Sequence, residues 1–133
     1  MELLAGIGTG LAVVLEAGLK VRRYIYVDSG FATNRTACHH IQRLLALYPE
    51  QLPSSVIRAC FGKFPRNVTL ISYDDLRRLG QVDLVIAGWP CQGHSQTGNG
   101  RGLDDSRLGL SADLLRLVQW WTTHQSMPPE YIF

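Results

Sequence analysis

The residues best suited to chemistry lie in a polar loop that follows a short apolar run. Residues 82–87 are mostly aliphatic, and glycine, tryptophan, proline and then Cys91 come directly after them. An apolar run that ends in glycine and proline predicts a buried parallel strand that delivers the cysteine at its carboxyl end. Ligands bind at that edge of open α/β sheets. Cys91 is therefore a candidate nucleophile.

The alternative for Cys91 is a structural cysteine in a turn, because free cysteines commonly behave as inert small hydrophobes. The following residues favour the functional interpretation. Residues 92–109 form a long, polar, glycine-spaced segment, and loops of that length inside a compact domain are usually functional. A thiol enzyme of another class would need a histidine base, and the spacing of His94, in the same loop, does not identify it as one.

A glycine turn near the amino terminus is the second candidate site. Residues 2–5 predict a short strand, Gly6, Gly8 and Gly10 follow at alternate positions, and residues 11–17 predict a helix. In this geometry backbone N–H groups and the helix dipole meet a ligand. Tight turns also use glycine for steric reasons alone, so a cofactor role stays open on this stretch. The spacing differs from the dinucleotide-binding and phosphate-loop patterns.

Asp28 lies at the end of the predicted second strand, residues 21–27. An acid about twenty residues after a glycine turn accepts hydrogen bonds from ribose hydroxyls in Rossmann-like sites. A helix N-cap is the alternative role, because aspartate is favoured there. The residues alone do not separate these two roles.

Composition indicates one globular domain and leaves the ligand open. The 133 residues are 46% hydrophobic and 18% charged, with a net charge of +2, which fits a folded domain and gives no sign of a nucleic-acid partner. Cys38, Cys60 and Cys91 form an odd, widely spaced set, which argues against a disulfide framework and favours a reducing, intracellular compartment. No apolar run approaches the roughly 20 residues of a membrane span, and no signal-peptide pattern begins at Met1.

The rest of the chain predicts helices packed on a sheet. Residues 31–47 have the periodicity of an amphipathic helix, and the adjacent Cys38, His39 and His40 would diverge on it, which argues against a metal site. Trp120 and Trp121 are expected in a core or an interface rather than stacked on bases. The other predicted elements are a short helix at 56–60, a strand at 68–71, a short helix at 74–79, a helix at 110–121 and a strand at 127–133.

Two motifs resemble those of the cytosine-5 DNA methyltransferases. The family's catalytic motif is G-x-P-C-Q-x-F-S, a glycine-rich spacer and D-x-R-G. Its S-adenosylmethionine loop is F-x-G-x-G-G, where this chain has Leu4 for phenylalanine and Thr9 for glycine. The residues similar to the catalytic motif are Gly88, Trp89, Pro90, Cys91, Gln92, Ser95, Gly98, Arg101, Gly102, Asp105 and Arg107.

The resemblance implies a Rossmann-like α/β fold of the S-adenosylmethionine-dependent methyltransferases, here incomplete. Residues 1–133 would be the amino-terminal part of the catalytic domain, from the cofactor loop through the catalytic-cysteine loop, without the target-recognition region. Cys91 would be the catalytic nucleophile, and no metal is implied. The implied cofactor-binding residues are Leu4, Ala5, Gly6, Ile7, Gly8, Asp28, Ile71, Pro90 and Leu110. The implied nucleic-acid-binding residues are Gln92, Ser95, Thr97, Arg101 and Arg107.

The function implied by the resemblance is transfer of a methyl group from S-adenosylmethionine to C5 of cytosine in DNA. Cys91 would add to C6 of a base flipped out of the duplex. The family places an acid on the adenine, but this chain has Leu70 or Ser72 there, so Asp74 or a backbone group is the candidate replacement. Phe133 lies one residue before the family's Glu-Asn-Val would be expected. Because that glutamate is the second catalytic group, we expect the 133 residues alone to be inactive or nearly so.

Several alternatives remain at this stage. A tRNA cytosine-5 methyltransferase has the same fold. A catalytically silent regulatory homologue would bind a partner methyltransferase subunit; the intact Pro90-Cys91-Gln92 counts against it and the missing glutamate counts for it. Within the family, the sequence from Gly6 to Leu11 leans toward the de novo branch. The expected location is the nucleus of a eukaryote or otherwise the cytoplasm, with no membrane partner.

Overall fold

The computed structural model describes residues 1–56, 63–88 and 109–133. In these ranges the chain forms a four-stranded parallel sheet, whose strands are β1 (Glu2–Leu3), β2 (Tyr26–Val27), β3 (Leu84–Ala87) and β4 (Glu130–Ile132). The strand order is β2-β1-β3-β4, so the first strand lies in the interior of the sheet. The predicted mixed α/β class is confirmed, and the parallel sheet is consistent with an incomplete Rossmann-like methyltransferase fold.

The register of the sheet brings the ends of three strands to one edge. Leu3 pairs with Val27 on one side and with Ala87 on the other, and Ile86 pairs with Ile132 at the next strand. Because all four strands are parallel, the loops that follow β1, β2 and β3 leave from the same edge. In sheets of this class that edge binds ligands.

The helices divide the apolar residues into two cores, one on each face of the sheet. The helices that lie wholly within the described ranges are α1 (Thr9–Glu16), α2 (Phe31–Leu47), α3 (Tyr73–Leu79) and α4 (Gly109–His124). On one face, α1 and α2 bury side chains such as Leu11 and Ile41 against Tyr24 of the segment leading into β2. On the other face, α4 buries Leu117 and Trp121 against Leu3, Val85 and their neighbours, and this cluster is called the α4-side core.

Most of the predicted helices are confirmed, with ends that differ by a few residues. The helix predicted at 31–47 has those bounds, and α1, α3 and α4 cover the other predictions in the described ranges. Trp120 and Trp121 are 7% and 0% exposed, which confirms that they belong to the core. The strands are shorter than predicted, two to four residues each. Residues 57–60 of the predicted short helix lie outside the described ranges.

The strand predicted at 68–71 is wrong. Val68–Leu70 form a 3₁₀ turn, and the side chain of Asn67 accepts a hydrogen bond from the Thr69 N–H at 3.1 Å. A local side-chain bond of this kind offers the backbone an alternative to a sheet ladder. Val68 and Ile71 are nevertheless buried in the α4-side core, so the apolar residues serve packing without forming a strand.

None of the helices in the described ranges is both long enough and apolar enough to cross a bilayer.

A capping box begins α3 shortly after the 3₁₀ turn of Val68–Leu70. The Ser72 hydroxyl accepts a hydrogen bond from the Asp75 N–H at 3.1 Å, and the Asp75 carboxylate accepts one from the Ser72 N–H at 2.9 Å. Hydrogen bonds from Ser72 hold the pKa of Asp75 below its ordinary value of 3.8. The box satisfies two otherwise unpaired helix donors and fixes where the chain turns after Ile71.

We predict that Ser72→Ala lowers the free energy of unfolding by about 1 kcal/mol at neutral pH, because the helix loses its N-cap acceptor. Asp75 has a lowered pKa in the folded state, so its contribution is present above the unfolded pKa and is lost as pH falls through the folded value. The difference between wild type and Ser72→Ala should therefore shrink below about pH 4. Urea denaturation at several pH values measures both effects.

The control is Ser126→Ala, which changes an exposed serine in a bend and should leave the stability within about 0.5 kcal/mol. Equal losses for the two variants, or a Ser72→Ala deficit that grows at low pH, would contradict the assignment.

Candidate active site

Alternate residues at β2 hold the glycine turn in place. Side chains at positions i, i+2 and i+4 of an extended segment point to one face, and here they are Tyr24, Tyr26 and Asp28. The Tyr26 hydroxyl donates to the Gly6 carbonyl at 2.6 Å, and the Asp28 carboxylate accepts from the Gly6 N–H at 2.9 Å. Both backbone groups of Gly6 are therefore bonded to side chains from the neighbouring strand.

Tyr26 acts as a neutral hydrogen-bond donor. Burial raises the pKa of the Tyr26 hydroxyl well above its ordinary value of 10.0, and the nearby Asp28 carboxylate raises it further. The proton therefore stays on the hydroxyl throughout the neutral range, and the bond to Gly6 persists. Sequence reasoning missed this residue; the available signal was the alternation of Tyr24, Tyr26 and Asp28 about twenty residues after a glycine turn.

Asp28 links the glycine turn to the start of α2. Besides the Gly6 bond, its second oxygen accepts from the Gly30 N–H at 2.8 Å and from the Thr33 hydroxyl at 2.9 Å. The N-cap of α2 is Gly30, so the alternative role of Asp28 as the N-cap residue is wrong. An ionised carboxylate offers about four acceptor positions, and three are used here. Among the described residues, no fourth donor occupies the remaining position.

The turn from Leu4 to Gly8 has an unusual backbone. Leu4 has φ 51°, and Gly6 and Gly8 have φ 54° and 81°. A leucine in the left-handed region carries strain that the surrounding structure must hold, and the half-buried Leu4 side chain packs against the α4-side core. Ala5 is buried, whereas Ile7 is 42% exposed. The turn therefore presents backbone and a small apolar surface at the sheet edge.

The first amides of α1 bind a protein carboxylate. Glu2 accepts from the Gly10 N–H at 3.0 Å, from the Leu11 N–H at 3.1 Å and from the Tyr24 hydroxyl at 2.5 Å. The sequence-based expectation that the helix amides meet a ligand therefore fails for Gly10 and Leu11, because both are already bonded. Glu2 was not among the predicted site residues.

The loop that leads to Cys91 begins against the glycine turn. The Gly88 N–H donates to the Leu3 carbonyl at 3.1 Å, and a Cβ at Gly88 would lie 2.8 Å from the Leu4 carbonyl oxygen. Only glycine fits so close to another backbone.

Several predicted site residues lie outside the described ranges: Pro90, Cys91, Gln92, Ser95, Thr97, Arg101 and Arg107.

Two other predicted cofactor residues, Ile71 and Leu110, contribute to the α4-side core. Leu110 is half-buried against that core, as Leu4 is, and Ile71 is a fully buried member of it. The Ile71 carbonyl accepts from Arg116 at 3.0 Å. Leu70 is exposed, whereas Val68 and Ile71 on either side of it are buried.

The candidates for an adenine-binding group are engaged in other bonds. Ser72 belongs to the capping box of α3, and Asp74 forms an exposed ion pair with Arg77.

Over the ranges that the structure describes, no group of three His, Cys, Asp or Glu side chains could hold a metal ion.

A cavity of about 560 Å³ lies at the opposite edge of the sheet. Its lining includes Lys20, Arg22 and Gln81, which precede β2 and β3, together with Glu2 of β1 and Leu11 of α1. Asp28 and the turn from Leu4 to Gly8 are not part of the lining. The chemistry predicted for the carboxyl edge does not use this cavity.

Comparisons with known proteins identify relatives of this chain. A family model, the C-5 cytosine-specific DNA methylase, matches residues 58–130. The type II methyltransferase M2.BsuMI of Bacillus subtilis (strain 168) is 43% identical over 56 residues, which is 42% of this chain. The type II methyltransferase M1.ScrFI of Lactococcus lactis subsp. cremoris is 26% identical over 106 residues, 75% of this chain.

The chain spans 14% and 26% of the lengths of these two curated relatives. Both are bacterial type II enzymes by name, so the lean toward the de novo branch finds no support in them. The family model covers more than half of the 133 residues and includes the strand that leads to Cys91. The chain therefore belongs to the C-5 cytosine-specific DNA methylase family.

Proposed function

We propose that the chain forms the cofactor-binding and nucleophile-bearing part of an enzyme that transfers a methyl group from S-adenosylmethionine to C5 of cytosine in DNA. The observation that carries this proposal is the contact between two loops. Gly88, three residues before Cys91, lies against the Leu3 and Leu4 carbonyls. Three residues span at most about 11 Å when extended, which supports a thiol close to the glycine turn.

The residues at the turn fit an adenosine ligand. Asp28 has an acceptor position left for a ribose hydroxyl, and Gly6 and Gly8 let a ligand approach the backbone closely. Leu4, Ile7 and the half-buried Leu110 offer apolar surface of the kind that lines nucleoside pockets. Ala5 is buried and Ile71 is in the core, so we assign them supporting roles. S-adenosylmethionine, when bound, supplies an electrophilic methyl group.

Cys91 would act as the nucleophile on the cytosine ring. Its thiolate forms a bond to C6, and the electron pair of the C5–C6 double bond moves so that C5 becomes able to attack the methyl carbon. The bond between that methyl carbon and the donor sulfur would break, so that the donor leaves as a thioether, S-adenosylhomocysteine. Loss of the C5 proton then re-forms the double bond and expels the thiolate. Arg101 or Arg107 would favour the thiolate by its positive charge.

The substrate base must leave the duplex, because C6 is inaccessible within the stack. Because of the resemblance to the family motif, we assign Pro90 to the cofactor side of the loop. For the same reason we assign these residues to contacts with the DNA: Gln92, Ser95, Thr97, Arg101 and Arg107. Addition to C6 is easier when an acid protonates N3 of the ring. Asp28 and Glu2 are bonded to backbone amides and Asp74 pairs with Arg77, so we do not assign any of these three carboxylates to that role.

A partner methyltransferase subunit is a second candidate for what the chain binds. The observation that favours it is exposed apolar surface at α1 and β4, where Val13 is 60% and Ile132 is 51% exposed. Methyl-acceptance assays with DNA and with tRNA, each with and without the remainder of a family enzyme, distinguish the candidate functions.

With DNA as substrate, the proposed location is the nucleus of a eukaryote or otherwise the cytoplasm.

We predict that Cys91→Ala in the full-length enzyme abolishes methyl transfer to DNA while S-adenosylhomocysteine binding stays within about twofold, because the thiol bonds the base and not the cofactor. Radiolabelled methyl transfer and calorimetric titration measure the two quantities. Duplex DNA containing 5-fluorocytosine should form a covalent adduct with the wild type and none with the variant.

Cys38→Ala is the matched control, since Cys38 is a half-buried thiol on α2, and it should leave both quantities unchanged. Normal turnover by Cys91→Ala, or an adduct that survives this substitution, would exclude Cys91 as the nucleophile.

We predict that Asp28→Ala weakens S-adenosylhomocysteine binding by about 10- to 100-fold, the range expected when a charged hydrogen bond of about 1.5–3 kcal/mol is lost. Asp28→Asn keeps one carbonyl acceptor and should recover part of the affinity. Calorimetric titration measures the dissociation constants, and circular dichroism checks that the fold is retained.

Asp83→Ala removes an exposed carboxylate that precedes β3 at the opposite edge of the sheet, and it should bind as the wild type does. An Asp28→Ala variant that is folded and keeps full affinity would show that this carboxylate serves the turn alone.

A further inference from the structure

The carboxylate of Glu2 is an internal anion at the start of α1. Within residues 1–56, 63–88 and 109–133, Glu2 is the charged side chain that is buried, at 3% exposure. Its oxygens accept from the N–H groups of Gly10 and Leu11 and from the Tyr24 hydroxyl. The side chain therefore lies in the position where the donors of the helix amino terminus converge.

Within the part of the chain that the structure describes, α1 supplies no side chain of its own to serve these donors. The N-cap is Gly8, which makes no side-chain cap, and the first turn of α1 has no acidic residue. The unpaired amides of a first helical turn and its dipole favour a negative group. Gly10 is needed for this approach, since a Cβ there would lie 2.9 Å from Cδ of Glu2. The sequence thus provides both the anion and the space for it.

In related strand–glycine turn–helix units, these same amides hold the phosphate of a nucleotide. In this chain that position is filled, and Asp28 places a second carboxylate at the same turn. A phosphate that approached the turn would meet negative charge in place of free donors. A nucleoside without phosphate would meet the acceptor of Asp28 and the apolar surface of the turn.

We propose that Glu2 is a specificity-determining residue that excludes phosphate-bearing nucleotides from the glycine turn and reserves it for nucleosides without phosphate. This inference rests on the proposed function in one respect, that the turn binds the adenosine part of the cofactor. Adenosine sulfonium compounds such as S-adenosylmethionine belong to the accepted class, whereas ADP and the dinucleotides belong to the excluded one.

Binding of adenosine, ADP and S-adenosylhomocysteine at constant ionic strength tests the inference. The wild-type chain should bind S-adenosylhomocysteine, and it should bind ADP about tenfold or more weaker than adenosine. Glu2→Gln keeps the size of the side chain and removes its charge, so the ratio of the ADP and adenosine dissociation constants should fall by about tenfold. Glu16→Gln removes an exposed carboxylate from the other end of α1 and should leave the ratio unchanged.

A folded Glu2→Gln variant whose ratio stays within twofold of the wild type would overturn the inference while the proposed function stands. Failure of the wild type to bind S-adenosylhomocysteine would instead contradict the proposed function.

A second measurement needs neither a stable variant nor nucleoside binding. In a titration of the isotopically labelled wild type with inorganic pyrophosphate, the amide resonances of Gly10 and Leu11 should not shift. A saturable shift of these two resonances would overturn the role of Glu2, whatever the nucleosides do.

Discussion

The hydrogen bonds to the buried Glu2 carboxylate join the three elements that form the candidate site. Glu2 belongs to β1, its two amide partners belong to α1, and Tyr24 precedes β2. A buried charge is stable only when it is well bonded, so these elements must keep their relative positions. The glycine turn lies between the first two, and its backbone conformation follows from that restraint together with the bonds from Tyr26 and Asp28.

Much of the fold could be predicted because the spacing of apolar residues along the chain indicates which face of each element is buried. The helix at 31–47 was correct at both ends, and the apolar run before Gly88 was correctly identified as a strand. The prediction for 68–71 was wrong because the Asn67 side chain accepts hydrogen bonds from the Thr69 N–H and hydroxyl and so favours a 3₁₀ turn, and apolar residues alone do not distinguish the two conformations. Strand lengths also differed, since pairing depends on neighbours that are distant in the chain.

The candidate site could be predicted only in part. The motif around Cys91 and the glycine turn indicated the family, which the comparisons confirm. Asp28 was identified from its spacing, but its bonds to Gly6, Gly30 and Thr33 depend on the register of β1 with β2. Glu2 was missed for the same reason. An acid at the start of a strand gives no local sign that it will lie under the next helix.

The contact between Gly88 and Leu4 holds the start of the loop after β3 against the turn after β1. A substitution that adds any side chain at Gly88 would push on the carbonyl of a residue already held at positive φ. Under the proposed function, that displacement would disturb donor binding and the placement of the Cys91 thiol together. The spacing between the two would then be set by the paired ends of β1 and β3 rather than by either loop alone.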